Sequence, residues 1–333
     1  MQRNSLARLS KAALAVGWLF SLDVMASEDL RQLGLSVFGV MPHSMPGSEN
    51  DTPEQIALGK ALYFETALSS NGSQSCNSCH DLDKSSSGTE PLSVSVGALG
   101  KQGSRNSLTT WNAGFQFVQF WDGRAKTLHE QARSPILNPI EMALSSEEEA
   151  VRRLKEKGYQ PKFDLAFPQD ENPLVFNNIT QALAAFQRTL VTQDRFDEWL
   201  MGDDTALSAQ EKRGMKRFIT VGCHACHNGP LMGGQLFMKM GLVNPYPNEI
   251  DKGRALVTGN SADNFIFKVP TMRNVGQTSP YFHDGAVFSL EQAVRDTAWH
   301  QLGVKLNEQD VEDMTAFLRS LDNKKKIEFS NHE

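Results

Sequence analysis

Two short motifs contain all four cysteines of this 333-residue chain. They are Cys76-Asn77-Ser78-Cys79-His80 and Cys223-His224-Ala225-Cys226-His227. On a helical turn, the two cysteine sulfurs lie on one face and can form thioethers with the vinyl groups of a haem, while the histidine on that face can coordinate the iron. The C-x-x-C-H spacing is the attachment signature of c-type haem, so the sequence predicts two covalently bound haem c groups.

Two other interpretations of these cysteine pairs stay open. A C-x-x-C pair can be half of a zinc site, but zinc ribbons bring their two pairs close together in sequence, and these pairs are far apart. A histidine between two cysteines, as at His224, occurs in disulfide oxidoreductases, yet no βαβ pattern surrounds this motif. Because a histidine directly follows each pair, the sequence favours haem over a metal site or a disulfide.

The first haem is predicted to have an open coordination position. Between His80 and Met142 there is no methionine, and the only histidine is His129. A conventional electron-transfer haem with histidine and methionine ligands is therefore not expected there. Open positions on haem iron are where small molecules such as peroxide bind and are activated.

The N-terminus has the pattern of a secretory signal peptide. Three basic residues precede an apolar run over residues 12–22, and small or apolar residues lead to a predicted cleavage site after Ala26. The run is too short for a membrane span and Asp23 closes it, although an uncleaved anchor helix is the alternative. We therefore predict a signal peptide over 1–26 and a periplasmic protein, in agreement with covalent haem attachment outside the cytoplasm. No later stretch predicts a membrane span.

The charge balance argues against a nucleic-acid partner. The chain has 33 basic and 39 acidic residues, a net charge of −6, and removal of residues 1–26 changes it to −8. A mildly acidic protein is a poor binder of phosphate backbones. Such a surface would attract a small basic electron donor, but many proteins are this acidic, and the charge alone does not identify one.

The remaining chain is predicted to be mainly α, with two tandem cytochrome-c-like domains that each carry one covalently bound haem c. A capped helix leads into each motif, with Thr52 before the first and Ser208 before the second. No strand pattern competes. Further helix patterns cover 127–134, 145–157, 179–191, 289–300 and 307–321. The predicted divisions are an N-terminal arm over 27–50, the first haem domain over 51–191, the second over 192–325 and a tail over 326–333.

Further motifs surround the two C-x-x-C-H units. They are Phe120-Trp121-Asp122-Gly123-Arg124-Ala125, Gln131, Glu141-Met142 and Pro280-Tyr281-Phe282-His283-Asp284-Gly285. In this order, they resemble the bacterial dihaem cytochrome c peroxidases and the related MauG enzymes of methylamine utilisation. The resemblance covers residues 58–321, nearly the whole mature chain, and the motifs are specific in combination.

The resemblance implies a role for each haem and for three side chains. The N-terminal haem would react with peroxide and the C-terminal haem would receive electrons, with Trp121 as the bridge between them. Gln131 would hold peroxide by a hydrogen bond, and Glu141 would move a proton from one peroxide oxygen to the other. The residues alone would instead favour a solvated or capping carboxylate for Glu141, before the helix at 145–157.

The resemblance also implies a calcium ion between the domains. Asn106 matches the side-chain ligand, and Thr278 and Pro280 match the positions that supply backbone carbonyls. Ligation by oxygen alone suits calcium, which is a hard cation.

One departure from the family pattern concerns the first haem. Many relatives carry a histidine in the following loop that caps the iron in the oxidised state and leaves when the second haem is reduced. Here Ala98 stands at that position, within the segment Ser95-Val96-Gly97-Ala98-Leu99-Gly100. Alanine cannot ligate iron, so the first haem is expected to be open without prior reduction.

A second departure concerns the other haem. Relatives ligate it with a methionine, or with a tyrosine in MauG, where this chain has Thr297, a poor iron ligand. His300, one turn further on, is the predicted substitute. Met238, Met240 and Met272 are other candidates, and an iron capped by water or by nothing is an equal alternative. Loss of methionine would lower the potential of this haem, which weakens the argument for a high-potential cytochrome donor.

Three functions are compatible with these residues. The first is a dihaem peroxidase that reduces hydrogen peroxide to water with electrons from a small donor protein, such as a cytochrome c or a cupredoxin. The second is a MauG-like enzyme that uses peroxide to oxidise a residue of a partner protein, through Trp121 and a surface aromatic such as Trp199. The third is a non-catalytic electron carrier, against which Glu141 and Gln131 argue. Many relatives dimerise, so a homodimer is an alternative to a monomer.

Overall fold

The computed structural model describes residues 28–323, Lys325 and Ile327. The predicted signal peptide over 1–26 and the rest of the tail predicted over 326–333 lie outside the described residues. In the described part, none of the helices is long and apolar enough to cross a membrane. The helices are α1 (28–37), α2 (Pro53–Tyr63), α3 (Cys76–Cys79), α4 (Leu128–Leu137), α5 (Glu147–Glu156), α6 (Gln160–Ala166), α7 (Phe176–Arg188), α8 (Arg195–Leu200), α9 (Ala209–Val221), α10 (Ala255–Thr258), α11 (Leu290–Leu302) and α12 (Glu308–Arg319).

Two hydrophobic cores lie between these helices, and the prediction of a mainly α fold is confirmed. The first core is formed by α2 and by α4 to α7, with Leu62 and Phe163 fully buried. The second is formed by α8, α9, α11 and α12, with Phe196 and Phe317 near its centre. Each core lies beside one of the C-x-x-C-H motifs, because α2 precedes the first motif and α9 precedes the second.

Each core is organised around one close crossing of two helices. At Gly59 in α2, a Cβ atom would lie 1.9 Å from the carbonyl oxygen of Ala182 in α7. At Gly214 in α9, a Cβ atom would lie 1.8 Å from the carbonyl oxygen of Asp313 in α12. Any larger residue would force the two helix backbones apart, because protein interiors leave no free space at such contacts.

The predicted capping boxes are present at the start of α2 and α9. The Gln55 amide donates to Thr52 Oγ1 at 3.2 Å, and the Thr52 amide donates to the Gln55 side chain at 3.2 Å. The same reciprocal pair joins Ser208 and Glu211. These bonds satisfy amides that have no partner within the helix, and so fix where each helix begins.

A short pair of strands interrupts the helical fold. β1 (Phe237–Lys239) pairs antiparallel with β2 (Ile266–Lys268), and Met238 stands opposite Phe267. Neither strand was predicted from the sequence, because three residues are too few to show the alternating pattern of a strand. The pair is important because both strands line a cavity beside the second motif.

Both ends of the described chain pack on the cores. The arm over 27–50 was predicted to be irregular, but residues 28–37 are helical, and Phe38 is buried in the second core. At the other end, the Ile327 amide donates to the Leu82 carbonyl at 2.8 Å. The segment that follows α12 therefore returns to the first core and links the two halves.

Trp199 is not the surface aromatic that the sequence analysis predicted. It lies in α8 with 0% of its surface exposed, and its ring stacks on Phe196 with centroids 6.1 Å apart. The prediction was wrong because the short helix α8 is buried on several sides, which a six-residue pattern cannot reveal.

Two turns of the same type bring the halves of the chain together. Each has a phenylalanine and a glycine with positive φ, a conformation that is uncommon for phenylalanine. The pairs are Phe120 (66°) with Gly123 (68°), and Phe282 (70°) with Gly285 (59°). Trp121 and His283 each follow the phenylalanine and so occupy equivalent positions. Their rings meet edge to face with centroids 6.4 Å apart.

We predict that Gly59→Ala lowers the free energy of unfolding by about 2–3 kcal/mol, because the methyl group overlaps the Ala182 carbonyl at a helix crossing. Urea denaturation would measure the change. Gly103→Ala is the matched control, since a Cβ there would meet no atom closer than 3.5 Å. We expect the control to stay within about 1 kcal/mol of the parent, and equal losses in both variants would contradict the role of the crossing.

Candidate functional site

The first motif forms a single helical turn, α3, with two half-buried cysteines. The Ser75 amide donates to Ser78 Oγ at 3.0 Å, and the His80 amide donates to the Cys76 carbonyl at 3.0 Å. Both cysteines are free thiols, and burial raises the pKa of each to about 12. Two cysteines and a following histidine on one turn fit the attachment of a haem c.

A backbone carbonyl orients the His80 ring. Its Nδ1 lies 2.9 Å from the carbonyl oxygen of Leu108. Because a carbonyl can only accept, Nδ1 carries the proton and Nε2 keeps its lone pair. Burial lowers the pKa of His80, which keeps the ring neutral. The Tyr63 hydroxyl donates to the His80 carbonyl at 2.8 Å and holds the backbone in place. Nε2 is thus available as an iron ligand.

The second motif repeats this arrangement on a 3₁₀ turn, Cys223–Ala225. The His227 amide donates to the Cys223 carbonyl at 3.0 Å, and His227 Nδ1 lies 2.9 Å from the Met232 carbonyl. Phe218 in α9 meets the imidazole edge to face, with centroids 6.3 Å apart. Burial lowers the pKa of His227. Both predicted iron ligands therefore present an unprotonated Nε2.

A largely apolar cavity opens beside the second motif. Its wall contains the motif's two cysteines and His227, and strands β1 and β2 and helix α11 complete it. Among the other lining residues are Trp121, Met238, Met240, Met272, His283 and Thr297. Two protonated thiols and one neutral imidazole around an apolar space fit the donor set of a covalently attached haem c.

Trp121 is fixed in the wall of this cavity by polar contacts. Its Nε1 donates to the Asn106 carbonyl at 2.9 Å, and the Asn106 amide donates to the His283 carbonyl at 2.8 Å. Asn106 belongs to the segment between the first motif and Trp121, whereas His283 belongs to the second half of the chain. These hydrogen bonds therefore join the two turns and hold Trp121 between the two halves.

His283 is a cavity residue to which the sequence analysis gave no role. Its ring stacks on Phe267 with centroids 4.2 Å apart and planes inclined by 24°. Its Nε2 is buried and has no hydrogen-bond partner within the described chain. Burial lowers the pKa of His283, so the ring is neutral. The repeated Phe-x-Asp-Gly turn, with tryptophan at x in one copy and histidine in the other, was the signal that could have identified it.

A buried lysine lies next to Trp121. The Lys268 amide donates to the Trp121 carbonyl at 2.7 Å, and its Nζ donates to the Gln116 side chain and, at 3.1 Å, to the Val118 carbonyl. Burial lowers the pKa of Lys268 to about 7, although the Asp122 carboxylate opposes the shift. A positive charge beside Trp121 can therefore be gained or lost near neutral pH. No local pattern marks this lysine as buried, because most lysines in proteins are exposed.

Glu141 is held beside the first motif. Its Oε1 accepts a hydrogen bond from Asn138 Nδ2 at 2.6 Å. Burial raises the pKa of Glu141, although Asn138 and the charge of Arg124 act in the opposite direction. The pKa of Cys79 is raised by burial, by the Glu90 carboxylate and, more weakly, by Glu141, so the two carboxylates lie near that thiol. A carboxyl with a raised pKa at this position is suited to proton transfer.

The loop that contains Ala98 is fixed against Glu141. The Ala98 amide donates to the Glu141 carbonyl at 2.7 Å, and Asn71 Nδ2 donates to the Ala98 carbonyl at 2.6 Å. Glycine is required at position 97, since a Cβ there would lie 2.2 Å from the Ile140 carbonyl oxygen. Position 98, where the resemblance implies a capping histidine in other members, is therefore next to the backbone of Glu141.

Gln131 lies in α4, and the turn that carries Glu141 folds back onto the same helix. The Met142 amide donates to the Pro135 carbonyl at 3.1 Å. Gln131 is half-buried, one helical turn before Pro135. The end of α4 therefore supports both side chains that were predicted to contact peroxide.

In helix α11, Thr297 lines the cavity, whereas His300 contacts residues outside its lining. Thr297 and Gln301, one turn apart on the same helix face, both line the cavity. Within the described residues, the lining does not include His300. Its Nδ1 lies 3.0 Å from the Asn244 carbonyl, and its ring packs edge to face on Tyr246. The Nδ1 contact is of the same kind as in His80 and His227, so it is the absence of His300 from the described lining that separates it from the predicted distal position.

The three residues predicted to bind calcium lie in the wall near Trp121. Asn106, Thr278 and Pro280 all line the cavity. The side-chain nitrogen of Asn106, Nδ2, donates to the Leu92 carbonyl at 3.0 Å, and this bond orients the side chain. Calcium binding by these residues stays a prediction.

The chain matches known proteins over nearly its full length. Residues 53–205 match a family described as di-haem cytochrome c peroxidase. The chain is 42% identical over 318 residues to the cytochrome c551 peroxidase of Nitrosomonas europaea, covering 94% of this chain and 90% of that protein. Identity to the cytochrome c551 peroxidase of Pseudomonas aeruginosa is 39% over 333 residues, covering 97% and 94%. A crystal structure of a MauG-like protein associated with microbial copper homeostasis matches with a TM-score of 0.75 and 28% identity, covering 84% of this chain and 93% of that one.

We predict that Gly97→Ala accelerates hydrogen exchange of the Ala98 amide about tenfold to a hundredfold, because the added methyl group pushes the loop away from the Glu141 carbonyl. Native-state exchange followed by NMR would measure the rate. Gly103→Ala, in the same part of the chain but with ordinary contacts, is the control. An unchanged Ala98 exchange rate in Gly97→Ala would show that the loop is not held against Glu141.

Proposed function

Because this chain belongs to the di-haem cytochrome c peroxidase family, whose members are oxidoreductases that act on peroxide, we propose that it reduces hydrogen peroxide to water at the first motif, with electrons that enter at the second. The observation that carries this proposal is the carboxyl of Glu141. It is half-buried, has a raised pKa and lies near Cys79, and the backbone carbonyl of the same residue accepts a hydrogen bond from the Ala98 amide. A plain electron carrier has no need of such a group.

Two covalently bound haem c groups are part of this proposal. The residues that would hold them are Cys76, Cys79 and His80 for the first, and Cys223, Cys226 and His227 for the second. When bound, the haems supply the iron at which peroxide is reduced and a second redox centre that receives electrons. The two hydrophobic cores support a division into haem domains at 51–191 and 192–325. The signal peptide over 1–26 would direct the protein to the periplasm.

Glu141 acts as the proton carrier in the proposed reaction. Its carboxylate takes the proton from one oxygen of peroxide and returns it to the other oxygen, which leaves as water when the O–O bond breaks. Two electrons and two further protons complete the reduction to two molecules of water. Burial suits Glu141 to this task, because a carboxylate with a raised pKa accepts a proton more readily than an exposed one.

Gln131 and Trp121 have supporting roles. The Gln131 amide would donate a hydrogen bond to peroxide and orient it toward Glu141. Trp121 would carry electrons between the haems, since it lines the second cavity and its indole is fixed by the Asn106 carbonyl. The electrons would come from a small donor protein, such as a cytochrome c or a cupredoxin.

Oxidation of a partner protein is the second candidate function, and Trp299 favours it. This side chain lies on α11, two residues after the cavity residue Thr297, and is 39% exposed. It could accept an oxidising equivalent from the second haem and pass it to a protein at the surface, a role that the buried Trp199 cannot fill. The similarity to a MauG-like structure also supports this candidate.

We predict that Glu141→Gln keeps both haems and slows the reaction with peroxide by about a hundredfold or more, the usual effect of losing a positioned acid–base group. Stopped-flow spectroscopy would measure the rate. Glu130→Gln, which removes an exposed carboxylate on α4, is the control and should react like the parent.

The pH profile separates proton transfer from a structural effect of this variant. In the parent, the rate should fall as the pH drops through the pKa of Glu141, which is raised above its usual value, because only the carboxylate can accept a proton. In Glu141→Gln, this acid limb should disappear. An unchanged rate and an unchanged acid limb would remove Glu141 from the mechanism.

We predict that the fully oxidised parent reacts with one equivalent of peroxide at once, whereas Ala98→His reacts only after one electron has been supplied. The reason is that a histidine beside Glu141 could cap the first haem, and alanine cannot. Stopped-flow spectroscopy with parallel electron paramagnetic resonance would follow both proteins. Ala98→Leu adds bulk without a ligand nitrogen and is the matched control. If oxidised Ala98→His reacts as fast as the parent, position 98 does not face the iron.

A further inference from the structure

The cavity beside the second motif is rich in methionine. Four methionines contribute to its wall, and they are Met238, Met240, Met272 and Met314. A thioether is a soft ligand that commonly completes the coordination of a haem iron already bound by histidine. Thr297 offers only a hydroxyl, and within the described residues His300 is not part of the cavity lining. The choice of ligand therefore depends on which methionine reaches the iron.

Two of the four methionines are less suited than the others to bind the iron on the side opposite His227. The Met272 amide donates to the Met232 carbonyl at 3.2 Å, and that same carbonyl orients His227, so Met272 lies on the His227 side. Met314 is 2% exposed and belongs to the second core, on the helix that crosses α9. Met272 is therefore linked to the His227 side of the cavity, and Met314 is packed into the core.

The residues before and after Met240 are both hydrogen-bonded to α11. Gln301 Nε2 donates to the Lys239 carbonyl at 3.0 Å, and Gln301 Oε1 accepts from the Gly241 amide at 2.7 Å. Gln301 lies one turn after Thr297 and lines the same cavity. The Met240 amide also donates to the Phe265 carbonyl at 2.8 Å. Met240 is therefore fixed next to the part of α11 where Thr297 cannot serve as a ligand.

Met238 lies further from α11. It pairs with Phe267 in the middle of the two strands, and Phe267 stacks on His283. The methionine pair thus runs along one wall, with Met240 at the end nearest Thr297 and Met238 at the end nearest His283.

We infer that Met240, in the segment that follows β1, supplies the second protein ligand of the second haem through its Sδ atom, together with His227. This inference rests on the proposed attachment of a haem at the second motif. A thioether ligand raises the potential of a haem, so the loss of methionine at position 297 need not produce a low-potential centre. The second haem then suits a high-potential donor, such as a small cytochrome c or a cupredoxin.

The test uses the purified holoprotein, with haem content established first by mass spectrometry. Near-infrared magnetic circular dichroism of the oxidised protein reports a thioether–iron charge-transfer band, and a redox titration gives the potential of each haem. We expect the parent to show this band for one of its haems. Met240→Leu should lose the band and lower the potential of that haem, whereas the matched variants Met238→Leu and Met272→Leu should keep both.

Several results would overturn the inference. The band could persist in Met240→Leu, or disappear in Met238→Leu instead, or be absent from a parent that carries two haems. A bis-histidine signal that His283→Gln removes would assign the ligand to His283. If Met240→Leu does not fold, the reduced parent, Met238→Leu and Met272→Leu, each labelled with ¹³C in the methionine methyl groups, still decide. An iron-bound methionine has a methyl resonance shifted strongly by the haem ring, and this resonance should be present in all three proteins. Its absence overturns the inference. A parent with no haem at the second motif would overturn the proposed function as well.

Discussion

The close crossing of two helix pairs, each at a glycine, is the constraint on which the rest of the structure depends. Gly59 lets α2 rest on the backbone of α7, and Gly214 lets α9 rest on the backbone of α12. In each pair, the first helix leads toward a C-x-x-C-H motif, so the crossing determines where the motif lies relative to its core. The crossing helices also differ in sequence while they share this contact. The two halves therefore share a short distance between the backbones of two crossing helices, whereas the side chains around each crossing differ.

Backbone carbonyls orient the imidazole rings of the two predicted iron ligands, a role that side chains fill at many metal sites. Leu108 and Met232 each fix one Nδ1, and so determine both the tautomer and the direction of Nε2. A carbonyl cannot titrate, and its position follows from the fold alone. The orientation of both predicted iron ligands is therefore insensitive to substitution of the side chains at these two positions, which suits a pair of sites whose surroundings have diverged.

Local signals in the sequence predicted the helices with clear caps or apolar periodicity, such as α2 and α9, but missed α1, α6 and α8, and they could not predict non-local contacts. The capping pairs at Thr52 and Ser208 span three residues, and both were predicted correctly. The strand pair and the burial of Trp199 depend on contacts between distant segments, which no local pattern encodes. The position of His300 illustrates the same limit. Its spacing on α11 suggested the cavity, but the Asn244 carbonyl and the Tyr246 ring, 50 or more residues away in sequence, direct it elsewhere.

The two halves share a fold and yet differ in the chemistry of their sites. Near the first motif, Ala98 offers no ligand and Glu141 offers a proton acceptor, which is what a reaction with peroxide requires. Near the second, thioethers replace the carboxyl and the wall is largely apolar, which suits a centre that exchanges electrons without binding substrate. Trp121 and His283 occupy the same position in two equivalent turns and meet between the sites. Different side chains around a repeated backbone therefore account for the proposed division into a reactive and an electron-accepting site, and the repeated turns join the two halves.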